Sequence, residues 1–306
     1  MFDFLEEQGV QKALLDQVRT FLHMHSAGTD RSRIPAPPFH YFGKTVWEQA
    51  IAALLAGENL LLVGSKATGK NVLADNLARL FERPSWNISF HLNTDAASLL
   101  GTDTFSQGRV SFRKGPIACC AEAGGFGVLD EINMARNDAV AVLHATLDYR
   151  RVIDIPGYDR IFLRPETRFI ATMNYGYVGT RELNEALTSR FSVIQVPPIG
   201  TIQLRRLLRE QFPTLREDFV EPFSRLFLDL QKKNENGEIS SKSVDLRGLL
   251  AAIALMQRGL APENALMMGL TNKSFDPFEQ EIIADVIHLT VSPKLRAEEL
   301  FAEDEE

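Results

Sequence analysis

The sequence predicts an α/β domain, a parallel sheet with helices on both faces and hairpin insertions, followed by an all-α domain. Three observations predict it. From Thr45 to Val196, short apolar runs alternate with helical stretches, the pattern of strands joined by helical crossovers. One of those runs, Leu60–Val63, opens directly into a glycine-rich loop and then a helix. After Pro197-Pro198 the strand signals stop, and apolar residues recur at helical spacing, as in Leu246, Leu249, Leu250, Ile253 and Met256.

Taken in order, residues 1–24 read as one amphipathic helix (Phe4, Leu5, Val10, Leu14, Leu15, Val18, Phe21, Leu22), and 26–40, with three prolines, as a linker. Leu60–Val63 is a strand, Lys70–Phe81 a helix and Asn87–His91 a strand. Phe126–Leu129 is a strand, Asn137–Leu147 a helix, and Arg168–Thr172 and Val193–Val196 are strands. Thr104–Phe112, and Arg151–Gly157 continued by Arg160–Leu163, read as hairpins. The expected division is a leading helix and linker (1–44), an α/β domain (45–199), a helical domain (200–292) and an acidic, frayed tail (293–306).

Composition sets the outer limits. At about 150 residues per domain, 306 residues suggest two domains. The formal net charge is −7, but the last ten residues carry six carboxylates and no cation, which leaves −1 for the rest. No basic stripe favours a phosphate-backbone partner, so nucleic acid gains no support. The adjacent Cys119 and Cys120 imply no disulfide framework, and the opening MFDFLEEQ is acidic where a secretion signal would be basic. Apolar stretches end near ten residues, so no membrane span is expected. The six histidines are scattered and suggest no zinc site. A cytoplasmic protein is the expectation.

The chemistry starts at Gly64-Ser65-Lys66-Ala67-Thr68-Gly69-Lys70-Asn71-Val72. Glycines let successive backbone N–H groups turn toward phosphate oxygens, the helix N-terminus adds partial positive charge, and Lys70 reaches the terminal phosphates. The position after the lysine commonly carries a Ser or Thr hydroxyl for Mg2+; here it is Asn71. Its amide oxygen is also a hard ligand, acting directly or through water; the alternative is weakened metal binding and slow hydrolysis. Sixty residues on, the strand Gly125–Leu129 ends in Asp130-Glu131. Asp130 suits Mg2+, and Glu131 suits polarising an attacking water. Asn272-Lys273-Ser274 is not followed by the aspartate of a guanine-reading loop, so ATP is the expected nucleotide.

With these residues, the chain resembles the AAA+ ATPases, and within them the MoxR-type group with its CbbQ/NorQ branch. The resemblance runs from about Thr45 to about residue 260 and is densest from Gly124 to Pro197: GGFGVLDEINMA, LHATLDYRRV and RFIATMNYGYVGTRELNEALTSRFSVIQVP. It implies an AAA+ core with an all-α lid. It also implies that Asn174 is sensor 1, helping to place the lytic water, and that Arg190 is an arginine finger reaching a neighbour's nucleotide. Arg181 is a second candidate for that finger. Arg247 matches sensor 2, contacting phosphates in cis. The resemblance further implies ATP with Mg2+, a homo-oligomeric ring expected to be a hexamer, and chaperone-like maturation or activation of a protein client. A partner with a von Willebrand A-type domain is implied as well. The rival readings are a nucleotide-gated scaffold with little hydrolysis, a magnesium-chelatase-like motor subunit and a nucleic-acid motor. The near-neutral body disfavours the last.

Overall fold

The computed structural model describes residues 1–25, 30–106, 108–155, 157–175 and 183–302. The chain divides into two units, one built mainly from residues up to Pro197 and one from residues that follow it.

In the first unit the order is α1 (Phe2–Glu7), α2 (Lys12–Met24), α3 (Lys44–Leu55), β1 (Leu60–Gly64), α4 (Lys70–Leu80) and β2 (Ser85–Ser89). There follow α5 (Ala96–Leu100), β3 (Gly101–Ser106), β4 (Arg109–Lys114), α6 (Pro116–Ala123), β5 (Phe126–Asp130) and α7 (Asn137–Thr146). The unit closes with β6 (Val152–Ile153), β7 (Ile161–Phe162), β8 (Arg168–Asn174), α8 (Glu185–Thr188) and β9 (Ser192–Gln195). Five strands form one sheet in the order β2-β5-β8-β1-β9, with every pair parallel.

Strand alternation divides the core into two layers. Leu60, Leu62, Phe126, Val128, Ile170 and Ile194 face one side, where α2, α3 and α4 bury Val18, Trp47, Ile51, Leu73 and Leu77. Leu61, Val63, Leu129, Phe169 and Ala171 face the other, against Ile117, Cys120 and Ala121 of α6 and Ala139 and Leu143 of α7. The two expected hairpins are antiparallel pairs outside the sheet, β3 with β4 and β6 with β7. They brace one another: the Phe112 and Tyr158 rings lie 4.6 Å apart, and the Tyr158 hydroxyl donates to Asp103.

Several boundaries move. The helix expected over 1–24 is two helices, because Gly9 adopts φ +74° and ends the first turn of chain, while Leu5 and Val10 on either side are both buried. These helices pack into the core of the first unit, through Leu5, Leu15, Val18 and Phe21. The strand expected at Asn87–His91 starts two residues earlier, since Ser85 pairs with Phe126 and Trp86 and Ile88 carry the buried face. The last strand likewise starts at Ser192, and as an edge strand it leaves Val193 about half exposed.

The second unit is helical: α9 (Thr201–Gln211), α10 (Glu217–Glu235), α11 (Leu246–Gln257), α12 (Pro262–Gly269) and α13 (Pro277–Thr290). Its core collects Leu208, Phe223, Phe227, Leu249, Ile253, Leu266 and Ile287. α11 and α12 approach through glycines: a Cβ on Gly248 would sit 2.0 Å from the Gly269 carbonyl oxygen. The segment after Pro293, expected to fray, is folded as far as residue 302. Leu300 is fully buried, Phe301 bridges to Leu215, and Ala302 N–H donates to Thr214 O. Apolar Leu295, Leu300 and Phe301 pack on the helical core and outweigh the acidic composition there.

Candidate functional site

Parallel strands place their carboxyl ends at one edge of the sheet, and the register fixes which residues meet there. Gly64 ends β1 opposite Asn174 at the end of β8, Leu62 lies opposite Thr172, and Asp130 ends β5 opposite Ser89. The glycine loop, Asp130, Thr172 and Asn174 therefore share one edge, the edge where open α/β sheets bind ligands.

The loop leaves β1 and enters α4 through two left-handed residues, Ala67 at φ +63° and Gly69 at φ +84°. Gly69 is needed twice: for that backbone, and because a Cβ there would stand 3.3 Å from the Tyr41 ring. Tyr41 is buried against the loop, and burial pushes its hydroxyl up to about 12. A single buried amide holds its backbone. Asn76 of α4 accepts from Tyr41 N–H at 3.2 Å and donates to Phe39 O at 2.9 Å.

Lys70 is only 6% exposed, and its ammonium donates to the carbonyls of Gly64 (3.1 Å) and Ser65 (2.7 Å). Burial drives its pKa down to about 8, against the opposing pull of Asp130 and Glu131. An ammonium held this way among backbone dipoles is ready to exchange those carbonyls for phosphate oxygens. The first-turn N–H groups of α4 point the same way, since a helix's opening amides have no intrahelical acceptor.

Both carboxylates are held by side chains. The Asn71 amide donates to Asp130 Oδ2 at 3.0 Å, and the Thr172 hydroxyl donates to Asp130 Oδ1 at 2.5 Å. Strict alternation along the strand would send Glu131 to the face opposite Asp130. Instead Glu131 adopts φ +54°, a left-handed backbone uncommon in a residue with a side chain, and its Oε1 accepts from Asn174 Nδ2 at 3.2 Å. The Glu131 N–H donates to Thr172 Oγ1 at 3.2 Å, and buried Asn133 donates to Asn174 O at 3.4 Å. Thr172, Asn133, Tyr41 and Asn76 are the polar participants that sequence reasoning missed. Thr172 had a signal: two residues before Asn174 in one strand, it must share that residue's face.

Among the described residues, no group of three or more His, Cys, Asp or Glu side chains could hold a metal alone. Asn71 and Asp130, joined by a 3.0 Å bond from Nδ2 to Oδ2, bring together beside the phosphate loop an amide, whose oxygen would have to turn to serve as a ligand, and a carboxylate. That donor set fits Mg2+, which takes one or two protein oxygens and completes its shell with phosphates and water.

One of the expected arginines, Arg190, stands apart from this cluster within the first unit. Arg190 precedes β9, and β9 runs parallel to β1, with Ser192 opposite Leu60. Arg190 thus lies at the amino edge of the sheet, separated from the loop by the five residues of β1, about 16 Å of strand. There its guanidinium donates to Ala186 O, Nη2 lies 3.8 Å from Asp148, and Nε is buried with no hydrogen-bond partner. It borders an open cavity of about 590 Å³ lined also by Asn59, Asp148, Tyr149 and Arg151. Arg247, in the second unit, is exposed in the first turn of α11, two residues after its Asp245 N-cap. Arg181 lies outside the described residues.

The family model described as AAA domain (dynein-related subfamily) matches residues 59–191. The uncharacterized protein YojN of Bacillus subtilis is 33% identical over 243 residues, 78% of this chain and 79% of that protein. An uncharacterized protein of Staphylococcus epidermidis is 31% identical over 252 residues, 80% of this chain and 95% of that one. Among solved structures, a RuvB mutant of Thermotoga maritima is similar over 82% of this chain and 70% of that one, with a TM-score of 0.48 and 14% identity. No described helix is long and apolar enough to cross a membrane. The matched segment takes in the glycine loop, both carboxylates, Asn174 and Arg190, and the chain belongs to the AAA domain family, dynein-related subfamily.

Proposed function

We propose that this chain hydrolyses ATP with Mg2+ as one subunit of a MoxR-type ring, expected to be a hexamer, and spends that turnover on remodelling, maturing or activating a protein client. The observation that carries the reading is the pair of carboxylates at the end of β5. Asp130 is held by Asn71 and Thr172, and Glu131 by Asn174, beside the Lys70 loop. Bound with ATP, Mg2+ would neutralise charge developing on the transferred phosphoryl, with Asp130 and Asn71 as its protein ligands. Residues 64–72 cradle the phosphates, and Lys70 pairs with them. Glu131, steered by Asn174, accepts a proton from the attacking water.

The position of Arg190 supports the ring in this reading. At the opposite edge of its own sheet it is too far from its own loop to stabilise charge there. Supplied to a neighbour's nucleotide, a guanidinium stabilises the transition state, as trans arginines do. In this reading residues 45–199 are the nucleotide domain and 200–292 the lid, on which Arg247 contacts phosphates in cis. A client, a partner with a von Willebrand A-type domain and a cytoplasmic location complete the reading, on the strength of the MoxR-type resemblance.

One observation favours a second reading, a nucleotide-gated scaffold with little hydrolysis. Asn71 turns its NH2, not its oxygen, toward Asp130, because a carboxylate only accepts. The deciding experiment is the steady-state ATPase rate with Mg2+ across protein concentration, for wild type and Asn71→Thr. A wild-type rate per subunit that rises with concentration supports the ring enzyme. Turnover confined to Asn71→Thr supports the scaffold. Mixing Arg190→Ala with Glu131→Gln subunits should then restore hydrolysis at mixed interfaces.

A further inference from the structure

One hydroxyl touches both halves of the carboxylate pair. Thr172 lies in β8, 1% exposed, with its Oγ1 between Asp130 and the backbone of Glu131. The proton order is fixed by chemistry. Asp130 Oδ1 can only accept, so Thr172 donates to it at 2.5 Å, and the Glu131 N–H in turn donates to Thr172 Oγ1 at 3.2 Å. The result is a relay, N–H to O–H to carboxylate, in which each bond polarises the next. The relay also has a mechanical effect. Glu131 sits in a left-handed backbone that L-residues adopt only when their surroundings enforce it, and its own N–H is tied to Thr172.

We infer that Thr172 is a positioning residue that sets both carboxylates at once, aiming Asp130 at the metal side and locking the turn that points Glu131 at Asn174. The assignment rests on the ATPase reading above and adds a residue that acts through others, without touching nucleotide. Thr172 and Asn174 are two apart in one strand and so share a face, which makes β8 the common support of the metal end and the water end of the site.

The test uses the full chain with two substitutions. Thr172→Val keeps the β-branched shape and removes the hydroxyl; Thr172→Ser keeps the hydroxyl and removes the methyl. Nucleotide affinity is read with a fluorescent ATP analogue in EDTA and across a Mg2+ titration, alongside kcat and KM. For Thr172→Val we expect affinity in EDTA within about twofold of wild type. Half-saturating Mg2+ should rise and kcat fall, each on the order of tenfold, the scale of a hydrogen bond to a charged group. Thr172→Ser should recover both to within about threefold. If Thr172→Val leaves the Mg2+ titration and kcat unchanged, or if Thr172→Ser is as impaired as Thr172→Val, the hydroxyl has no such role and the assignment falls. A loss of affinity in EDTA by Thr172→Val also overturns it, because the residue would then act on the loop. Should wild type fail to bind the analogue at all, the ATPase reading itself fails and takes this assignment with it.

Discussion

The two edges of the parallel sheet use polar side chains in different ways. At the amino edge, buried and half-buried side chains bond to backbone. Arg168 donates to the carbonyls of Leu54, Pro165 and Thr167, Arg151 to those of Arg164 and Thr167, and Arg83 to those of Phe81 and His25. Asn59 accepts from Phe169 N–H. At the carboxyl edge Lys70 and Asn133 also bond to carbonyls, but both carboxylates are held by side chains: Asp130 by Asn71 and Thr172, Glu131 by Asn174. A backbone carbonyl cannot turn away without breaking the fold, whereas a side-chain partner can rotate and be replaced by a ligand. The first arrangement fastens elements together. The second holds charged groups in place until something else takes over their bonds.

Arg190 complicates the contrast, because it is an amino-edge arginine with a bond unmade. Its Nε is buried without a partner, and its nearest carboxylate, Asp148, is 3.8 Å away. Like Arg168, Arg151 and Arg83 it donates to a carbonyl, that of Ala186, but unlike them it keeps one buried guanidinium nitrogen unbonded.

The contrast predicts which changes lose chemistry and which lose stability. The largest effect should come from Glu131→Gln, which keeps the Asn174 contact and removes the base; turnover should fall by about 10²–10⁴ with ATP binding intact, measured by steady-state hydrolysis and a binding titration. At the opposite edge, Arg168→Met should remove one donor from each of three carbonyls and leave Pro165 O without its side-chain partner. It should destabilise by about 2–4 kcal/mol in a denaturant titration, while KM for ATP in the folded fraction stays unchanged. A shift in KM of the same size would erase the distinction between the edges.

Smaller effects sharpen it. Lys70 has its pKa lowered to about 8 from an ordinary 10.5. Above pH 8 the folded protein loses the proton that the unfolded chain keeps until about 10.5. Lys70 therefore raises stability with pH across that window, while ATP affinity falls there by up to about tenfold per unit. Lys70→Met should flatten both slopes, as calorimetry at pH 7, 8 and 9 would show. The least effect is expected of Asn59→Ala, about 1–2 kcal/mol in the same denaturant titration with no change in Mg2+ dependence.

Much of the site was legible because its residues are separated by chain but unusual in type. A lysine after a glycine loop, two carboxylates after an apolar strand and an asparagine closing another strand each break a local pattern. Thr172 breaks none, since threonine is an ordinary strand residue, and its partners lie 41 and 42 positions away. Arg168, Arg151 and Arg83 were illegible for a related reason. Their partners are carbonyls, which every residue carries and no sequence marks. The parallel sheet and its two faces could be read from alternation, whereas the break at Gly9 could not, because a single glycine is tolerated inside a helix. The folded segment up to residue 302 was hidden by its charge, although Leu295, Leu300 and Phe301 were the better guide.

The Asn76 amide has a consequence for how this chain can be shortened. One side chain on α4 grips the backbone on both sides of His40, and Tyr41 then lies on Gly69. The segment preceding α3 thus forms part of the wall of the phosphate loop, although it stands about thirty positions before that loop in the chain. A version cut at Lys44, the start of α3 and still ahead of the family match at 59–191, would strip the loop of its backing ring and leave Asn76 with both bonds lost. A version cut before Phe39 keeps them. Trimming by family boundaries and trimming by hydrogen bonds would produce two proteins with the same motif and different nucleotide affinities.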